Sequence, residues 1–338
     1  MTRRRVQRKS RPVFVWPAWL KCGCGWGSRI LLAVLLVVVV SFGWRIARHW
    51  TQRTWLGVEP YRVLVLRQQS GDAQVTGMEL VSIWPNTHKI EAMELPIEAV
   101  IGAVGGYGNY RMVALLEMGK VEGVGDTLLQ NSLSWLMGIP VHQVYRQTNT
   151  TLSLAREGWN LRKRALLGQQ SWPEAFAIAG LLSQVKGDEV QRLVLSEDNV
   201  VRQRMEADGS QIQYFETALL DRLMASELST VWSEAADAQV AAINASGKPQ
   251  LAAAWARYAR LGGFDVVSVT DQQQLQEKTR IIFSNKQLES GMVGKALRLL
   301  YPLAKSEVGD TSQYRAEIAI VFGLDSWKWL NDRVMYLE

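Results

Sequence analysis

Side chains able to do chemistry are few and scattered in this chain. The three histidines, His49, His88 and His142, are far apart, and no His-x-x-Glu-His or similar cluster exists. A metal hydrolase would therefore lack its ligand set. No Gly-x-Ser-x-Gly elbow offers a nucleophilic serine. The glycine-rich "GAVGGYGNY" (102–110) matches neither G-x-G-x-x-G nor the P-loop spacing, and "GMVGK" also fails it, so the first reads as a turn-rich loop. Cys22 and Cys24 are the only cysteines. Two ligands are too few for a closed structural zinc site, and the body's stability cannot rest on disulfides. One cation remains: Arg111, in "NYRMVALL", at the start of an apolar periodic run. A guanidinium beside the N–H groups of a helix N-terminus could hold an anion, and an ordinary solvated arginine fits the same pattern. Arg111 is the candidate anionic-ligand residue. No catalytic residue, metal ligand or cofactor is read.

The elements that would position Arg111 are those of an α/β protein. "YRVLVLR" (61–67), "GMELVSIW" (77–84) and "KIEAMELP" (89–96) read as strands rich in Val, Ile and Leu, with a turn at Pro85-Asn86-Thr87. "RMVALLEMG" and "DTLLQNSLSWLMG" read as helices, each closed by a glycine suited to a left-handed cap. "IPVHQVYR" returns as a strand. Residues 148 to about 232 look more helical and more polar, with a helix over "WPEAFAIAGLLSQV" and a turn at Asp208-Gly209. From 236 to 330 strands and helices alternate: "DAQVAAINASG", "KPQLAAAWARYARLGG", "FDVVSVTD", "KTRIIFSN", "MVGKALRLLYPLA" and "AEIAIVFGLDSWKWL". That order implies helices packed on a sheet.

Charge is distributed unevenly. Residues 1–60 hold eleven Lys/Arg and one acid, a balance of +10, whereas the remainder holds 27 basic and 31 acidic side chains, a balance of −4. A nucleic-acid binder needs its positive charge on the folded body, so that class is excluded. "ILLAVLLVVVVSFGW" (30–44) carries no charge. Its fifteen residues reach about 22 Å as a helix, short of a hydrocarbon core of about 30 Å. Arg29 and Arg45 can snorkel across the difference, and Trp26, Trp44 and Trp50 are placed like an interfacial belt. A cleaved signal peptide would need a small-x-small site, but "SFGWRIARHW" follows, bulky and basic. The expectation is a basic cytoplasmic leader (1–29), a single transmembrane helix (30–47) in contact with the lipid bilayer, and an extracytoplasmic body. Eight Lys/Arg ahead of the segment against three after it set that orientation.

Residues 238–325 resemble the LytR C-terminal domain. "VAAINASGKPQLAAAWARYARLGGFDVVSV", "TRIIFSN" and "AEIAIVFGLD" carry the resemblance: an Asn-x-(Ser/Thr)-Gly turn after a strand, Gly-(Phe/Tyr)-x-Val, and a late Gly-x-Asp. Ahead of them, "LVSIWPNTHKIEAMELP", "GGYGNYRMVALL" and "MGIPVHQVY" resemble, in order, the first half of a LytR-CpsA-Psr domain. The resemblance implies a single membrane anchor with the domain outside. It also implies transfer of glycopolymers from a polyprenyl diphosphate carrier to the cell wall. Arginines would hold the diphosphate and an acid would assist, commonly with magnesium. The chain departs from that pattern at three places. Pro96-Ile97-Glu98 stands where the family has Pro-Arg-Asp, and Gln74-Val75-Thr76 where it has Arg-x-Asp. The arginine-rich stretch has no match between 148 and 232. An isoleucine cannot supply the planar fork that bidentate phosphate binding needs.

The expectation is therefore an LCP-like α/β domain over 56–232 with a helical second half, and a smaller LytR C-terminal-like α/β domain over 236–330. Together they make a non-enzymatic envelope binding or scaffolding protein, with a cell-wall glycopolymer or an envelope protein as partner and no nucleic acid. A working phosphotransferase with relocated charges, and a spacer without ligand, stay open. Among fourteen tryptophans, Trp135, Trp232 and Trp255 read as core, while Trp327 and Trp329 could form a sugar-stacking patch or simply pack.

Overall fold

The computed structural model describes residues 33–36, 40–41, 60–69, 74–85, 89–147, 179, 190–196, 198–228 and 237–332. The chain divides into two compact units, Met1–Gln52 and Arg53–Glu338. In the first, residues 33–36 and 40–41 are helical. The rest of the expected membrane segment lies outside the described residues, with the leader, the two cysteines, His49, His88, Trp232 and most of "WPEAFAIAGLLSQV". Among the described residues no helix is long and apolar enough to cross a membrane.

The second unit is α/β, built on three sheets. β1 (Tyr61–Gln68), β2 (Val75–Ile83) and β3 (Ile90–Leu95) form an antiparallel meander. β6 (Gln143–Gln147) and β7 (Val190–Val194) extend it in parallel, giving the order β6-β1-β2-β3-β7. Alternation sends Leu64, Leu66, Met78, Leu80, Met93 and Leu95 to one face. There they join a core with α1 (Met112–Val121) and α2 (Thr127–Met137) through Leu115, Leu116, Leu128, Leu129 and Leu133. The opposite face carries a smaller cluster of Tyr61, Val65, Val81, Ile83, Ile90 and Ala92.

A second sheet, β5-β4-β9-β8, combines β4 (Ala99–Ala103) and β5 (Gly108–Arg111) with the hairpin β8 (Val201–Met205) and β9 (Gln211–Phe215). Gly209, at φ +80°, makes that hairpin's turn. α3 (Thr217–Leu228) follows and adds Leu220 and Met224 to the main core. The described part of the middle stretch holds three strands and one long helix, and it belongs with the first half: β7 pairs with β3 and β9 with β4. The sequence reading also stopped α1 at its glycine, but the helix runs through Gly119. The loop after it folds back so tightly that a Cβ at Gly119 would lie 1.9 Å from the Gly125 carbonyl oxygen. α2 does end as read, on Gly138 in the left-handed region at φ +66°.

The last part is a two-layer α/β unit with strand order β11-β10-β14-β12-β13. Its strands are β10 (Gln239–Asn244), β11 (Asp265–Asp271), β12 (Arg280–Phe283), β13 (Lys305–Val308) and β14 (Ile318–Phe322). α4 (Leu251–Leu261), α6 (Met292–Leu300) and α7 (Leu324–Asn331) cover one face, and the short α5 (Lys286–Ser290) leads into α6. The core between helices and sheet contains Val240, Ala242, Ile281, Phe283, Ile318, Ile320 and Phe322, with Trp255, Ala256 and Leu297 from the helices.

Candidate functional site

The end of β3 is where the resemblance places phosphate chemistry. There Pro96 accepts the Ala99 N–H at 3.0 Å and turns the chain into β4. Ile97, in the position of the family's arginine, packs against the main core. Its carbonyl accepts the N–H of Val113, in the first turn of α1, at 3.3 Å. One donor that an anion would need is thus used by the chain itself. Arg111 directly precedes α1, and its Nη1 donates to Glu98 Oε2 at 2.9 Å. Both side chains of that pair are more than half exposed. At the upstream position Val75 is core, and the Thr76 hydroxyl donates to the Arg67 carbonyl at 3.3 Å. Arg67 itself donates to the buried Glu79 at 2.6 Å. Arg146 forks onto Asp126. Each of these arginines holds a carboxylate of its own.

A cavity of about 350 Å³ opens on the main sheet across β2, β3 and β7. Leu80, Met93 and Leu193 form one cross-strand row of its lining, and Ser82, Glu91 and Gln191 the next. Arg192 is its one arginine among the described lining residues. No group of three or more His, Cys, Asp or Glu side chains able to hold a metal occurs among the described residues.

The glycine-rich loop has a structural use. Gly105 and Gly106 donate their N–H groups to the Leu330 carbonyl, near the end of α7, at 2.8 and 3.1 Å. A Cβ on Gly106 would lie 2.1 Å from the Asn331 oxygen.

Further contacts join the two halves along the same seam. The Arg257 guanidinium donates to Asp221 and, at 3.4 and 2.9 Å, to the Trp135 and Leu136 carbonyls at the end of α2. A cation there satisfies carbonyls that a helix C-terminus leaves open. Trp135 meets Trp255, Tyr258 and Trp329 at ring separations of 4.8, 5.8 and 6.3 Å. Trp255 is core, as read. Trp135 and Trp329 are seam residues, partly buried against both cores. Trp327 lies under the Lys248 ammonium, 4.6 Å from its ring centroid.

The residues that carried the LytR C-terminal resemblance also serve the fold. Asn244 is buried and donates to the Lys248 carbonyl and to Asp271, both at 2.8 Å. Asp325 accepts from the Thr279 N–H at 2.9 Å, the Thr279 hydroxyl at 2.6 Å and the Ser326 N–H at 2.8 Å. At Gly323, in the late Gly-x-Asp, a Cβ would meet the Lys278 backbone at 2.6 Å. Asp325 and Thr279 tie the start of β12 to α7, and Asn244 ties the end of β10 to β11 and to the loop that follows β10.

His142 is partly buried beside Tyr61, and its Nδ1 accepts the Arg62 N–H at 3.0 Å. Desolvation, then the nearby Arg62 cation, lower its pKa to about 3. The imidazole is therefore neutral at physiological pH and is a packing group.

Residues 237–325 match the family model described as "LytR cell envelope-related transcriptional attenuator". No curated protein matches the chain. Among solved structures it is similar to TagT of B. subtilis, at 13% identity and a TM-score of 0.37, covering 53% of this chain and 93% of that one. It is also similar to TagV of B. subtilis, at 9% identity and a TM-score of 0.34, covering 49% and 94%. A third is the LytR-CPS2A-psr family protein YwtF (TagT) with bound octaprenyl pyrophosphate lipid, at 12% identity and a TM-score of 0.35, covering 51% and 91%. Likeness at that level says nothing of this chain's chemistry. The chain carries a LytR C-terminal domain over residues 237–325, preceded by a region similar to LytR-CpsA-Psr proteins.

Proposed function

We propose that this chain is a cell-envelope binding or scaffolding protein that has kept the LytR-CpsA-Psr framework without the phosphotransfer chemistry. One observation carries the reading. Within residues 60–147, Arg67, Arg111 and Arg146 are each bonded to a carboxylate, and an apolar side chain packed against the core stands where a phosphate-binding arginine is expected. Phosphoryl transfer depends on positioned positive charge at the phosphates. Arginines already matched one-to-one with carboxylates offer little of it.

The partner is a wall glycopolymer or an envelope protein. YwtF (TagT) was solved with octaprenyl pyrophosphate, and another TagT structure is described as bound to LIIa-WTA. Residues 30–47 anchor the chain, with the N-terminus cytoplasmic and the body outside. The uncharged stretch 30–44 and the excess of Lys/Arg ahead of it support that arrangement.

The test uses the full chain in detergent with a polyprenyl diphosphate-linked glycan, magnesium and purified wall fragments. Transfer no faster than in a no-protein control is expected. Turnover that requires the protein would overturn the proposal. Protease added to intact protoplasts should remove the body but spare the leader, and protection of the body would refute the orientation.

A further inference from the structure

Apart from the Arg111–Glu98 pair, the outer face of the sheet β5-β4-β9-β8 takes no part in the contacts described above. Its register sets one row across all four strands: Arg111 opposite Val100, Val100 opposite Tyr214, and Tyr214 opposite Arg202. Adjacent rows place Arg204 opposite Ile212 and Asn109 opposite Gly102. Side chains alternate across a strand, so these share one face, while Ile101, Ala103, Val201 and Phe215 point into the core. Gly102 is exposed and leaves the face flat beside Val100. Tyr214 lies near its middle, with the Arg204 guanidinium 6.0 Å from its ring centroid.

The polar groups of this face come in opposed pairs. Arg111 holds Glu98 at 2.9 Å, Arg202 holds Glu216 at 3.1 Å and Arg204 holds Glu206 at 2.6 Å. Every side chain in these pairs is more than a third exposed. A polyanion or a polycation would meet as much repulsion as attraction. A neutral, polyhydroxylated ligand can use the whole surface. Its hydroxyls accept from guanidinium and donate to carboxylate. The C–H face of a pyranose ring packs on an aromatic ring whose π face is negative.

We propose that this face is a platform for a strand of neutral sugars, with Tyr214 as its stacking residue and the Arg–Glu pairs as its hydrogen-bonding rim. The proposal rests on the envelope-binding reading and narrows its ligand from glycopolymers in general to uncharged glycan.

The full chain in detergent is titrated with chitotetraose, alone and against polyphosphate, and is co-sedimented with purified sacculi. Tyr214→Ala should weaken chitotetraose binding about tenfold, Tyr214→Phe should stay within about twofold, and polyphosphate should not compete. If Tyr214→Ala melts early, Arg202→Gln serves as the second variant and should weaken binding several-fold. No chitotetraose binding at millimolar concentration, unchanged binding in Tyr214→Ala, or competition by polyphosphate would each overturn the platform. Sacculi bound equally by the wild type and Tyr214→Ala would sink the platform and leave the envelope reading intact. Sacculi not bound by the wild type would sink both the platform and a wall glycopolymer as the partner.

Discussion

The seam between the two halves and the end of β3 both use arginine, and they use it differently. At the seam, Arg257 is three-quarters buried and its donors meet one carboxylate and two helix-terminal carbonyls. Three tryptophans and two glycine N–H groups close the same junction. At the end of β3, Arg111 meets one carboxylate in open solvent. Buried polar groups must be satisfied or they cost stability, whereas an exposed ion pair gains little. The seam is therefore held by buried, fully used polar groups, and the end of β3 by an exposed pair.

Substitutions should divide along that line. The largest effect is expected at Gly106. Alanine there would combine a left-handed backbone at φ +74° with a clash on the Asn331 carbonyl, costing about 3 kcal/mol. Gly108→Ala, at φ +93° with nothing within 4 Å, should cost only about 1 kcal/mol. Equal losses in urea unfolding would contradict the seam. Inside the first half, His142 gives a pH dependence of known sign. Its native pKa, about 3, is below the ordinary 6.5. Its contribution is therefore whole above pH 6.5 and is lost as pH falls from 6.5 towards 3, by about 1.4 kcal/mol per unit. Chemical unfolding at a series of pH values should show that slope, and His142→Gln should flatten it. Arg257→Ala should cost about 2 kcal/mol, because it leaves Asp221 and two carbonyls without their donor. An Asp221→Ala, Arg257→Ala double-mutant cycle should show coupling. Smallest of all, Arg111→Ala should change stability by less than about 0.5 kcal/mol, and a larger loss would mean the exposed pair has a structural role.

The β-α-β order of the last unit was legible because its strands are short apolar runs between clear turn signals. "AEIAIVFGLDSWKWL" even shows its strand and helix separately, as β14 and α7. β4 and β5 were missed. "AVIGA" and "GNYR" are short and too brief for alternation to register, and the second partner of β4, β9, lies about a hundred residues away. The turn read over 102–110 is confined to 104–107, with Gly102 and Gly108 in β4 and β5, and nothing local points to Leu330 as the acceptor of the Gly105 and Gly106 N–H groups. Trp329 was legible as an aromatic outside a strong apolar pattern, yet its burial comes from Trp135, nearly two hundred residues earlier. At the candidate site the loss of arginine at Ile97 was plain in the sequence. The Arg111–Glu98 pair was not, because it depends on the antiparallel pairing of β4 with β5.

The measurement that bears most directly on the central claim is a titration of the full chain with a short-chain polyprenyl diphosphate, with and without magnesium, beside Arg111→Ala. The account predicts no saturable binding in either protein at millimolar ligand. Saturable, magnesium-dependent binding that Arg111→Ala abolishes would contradict it and restore a working phosphate site at the end of β3.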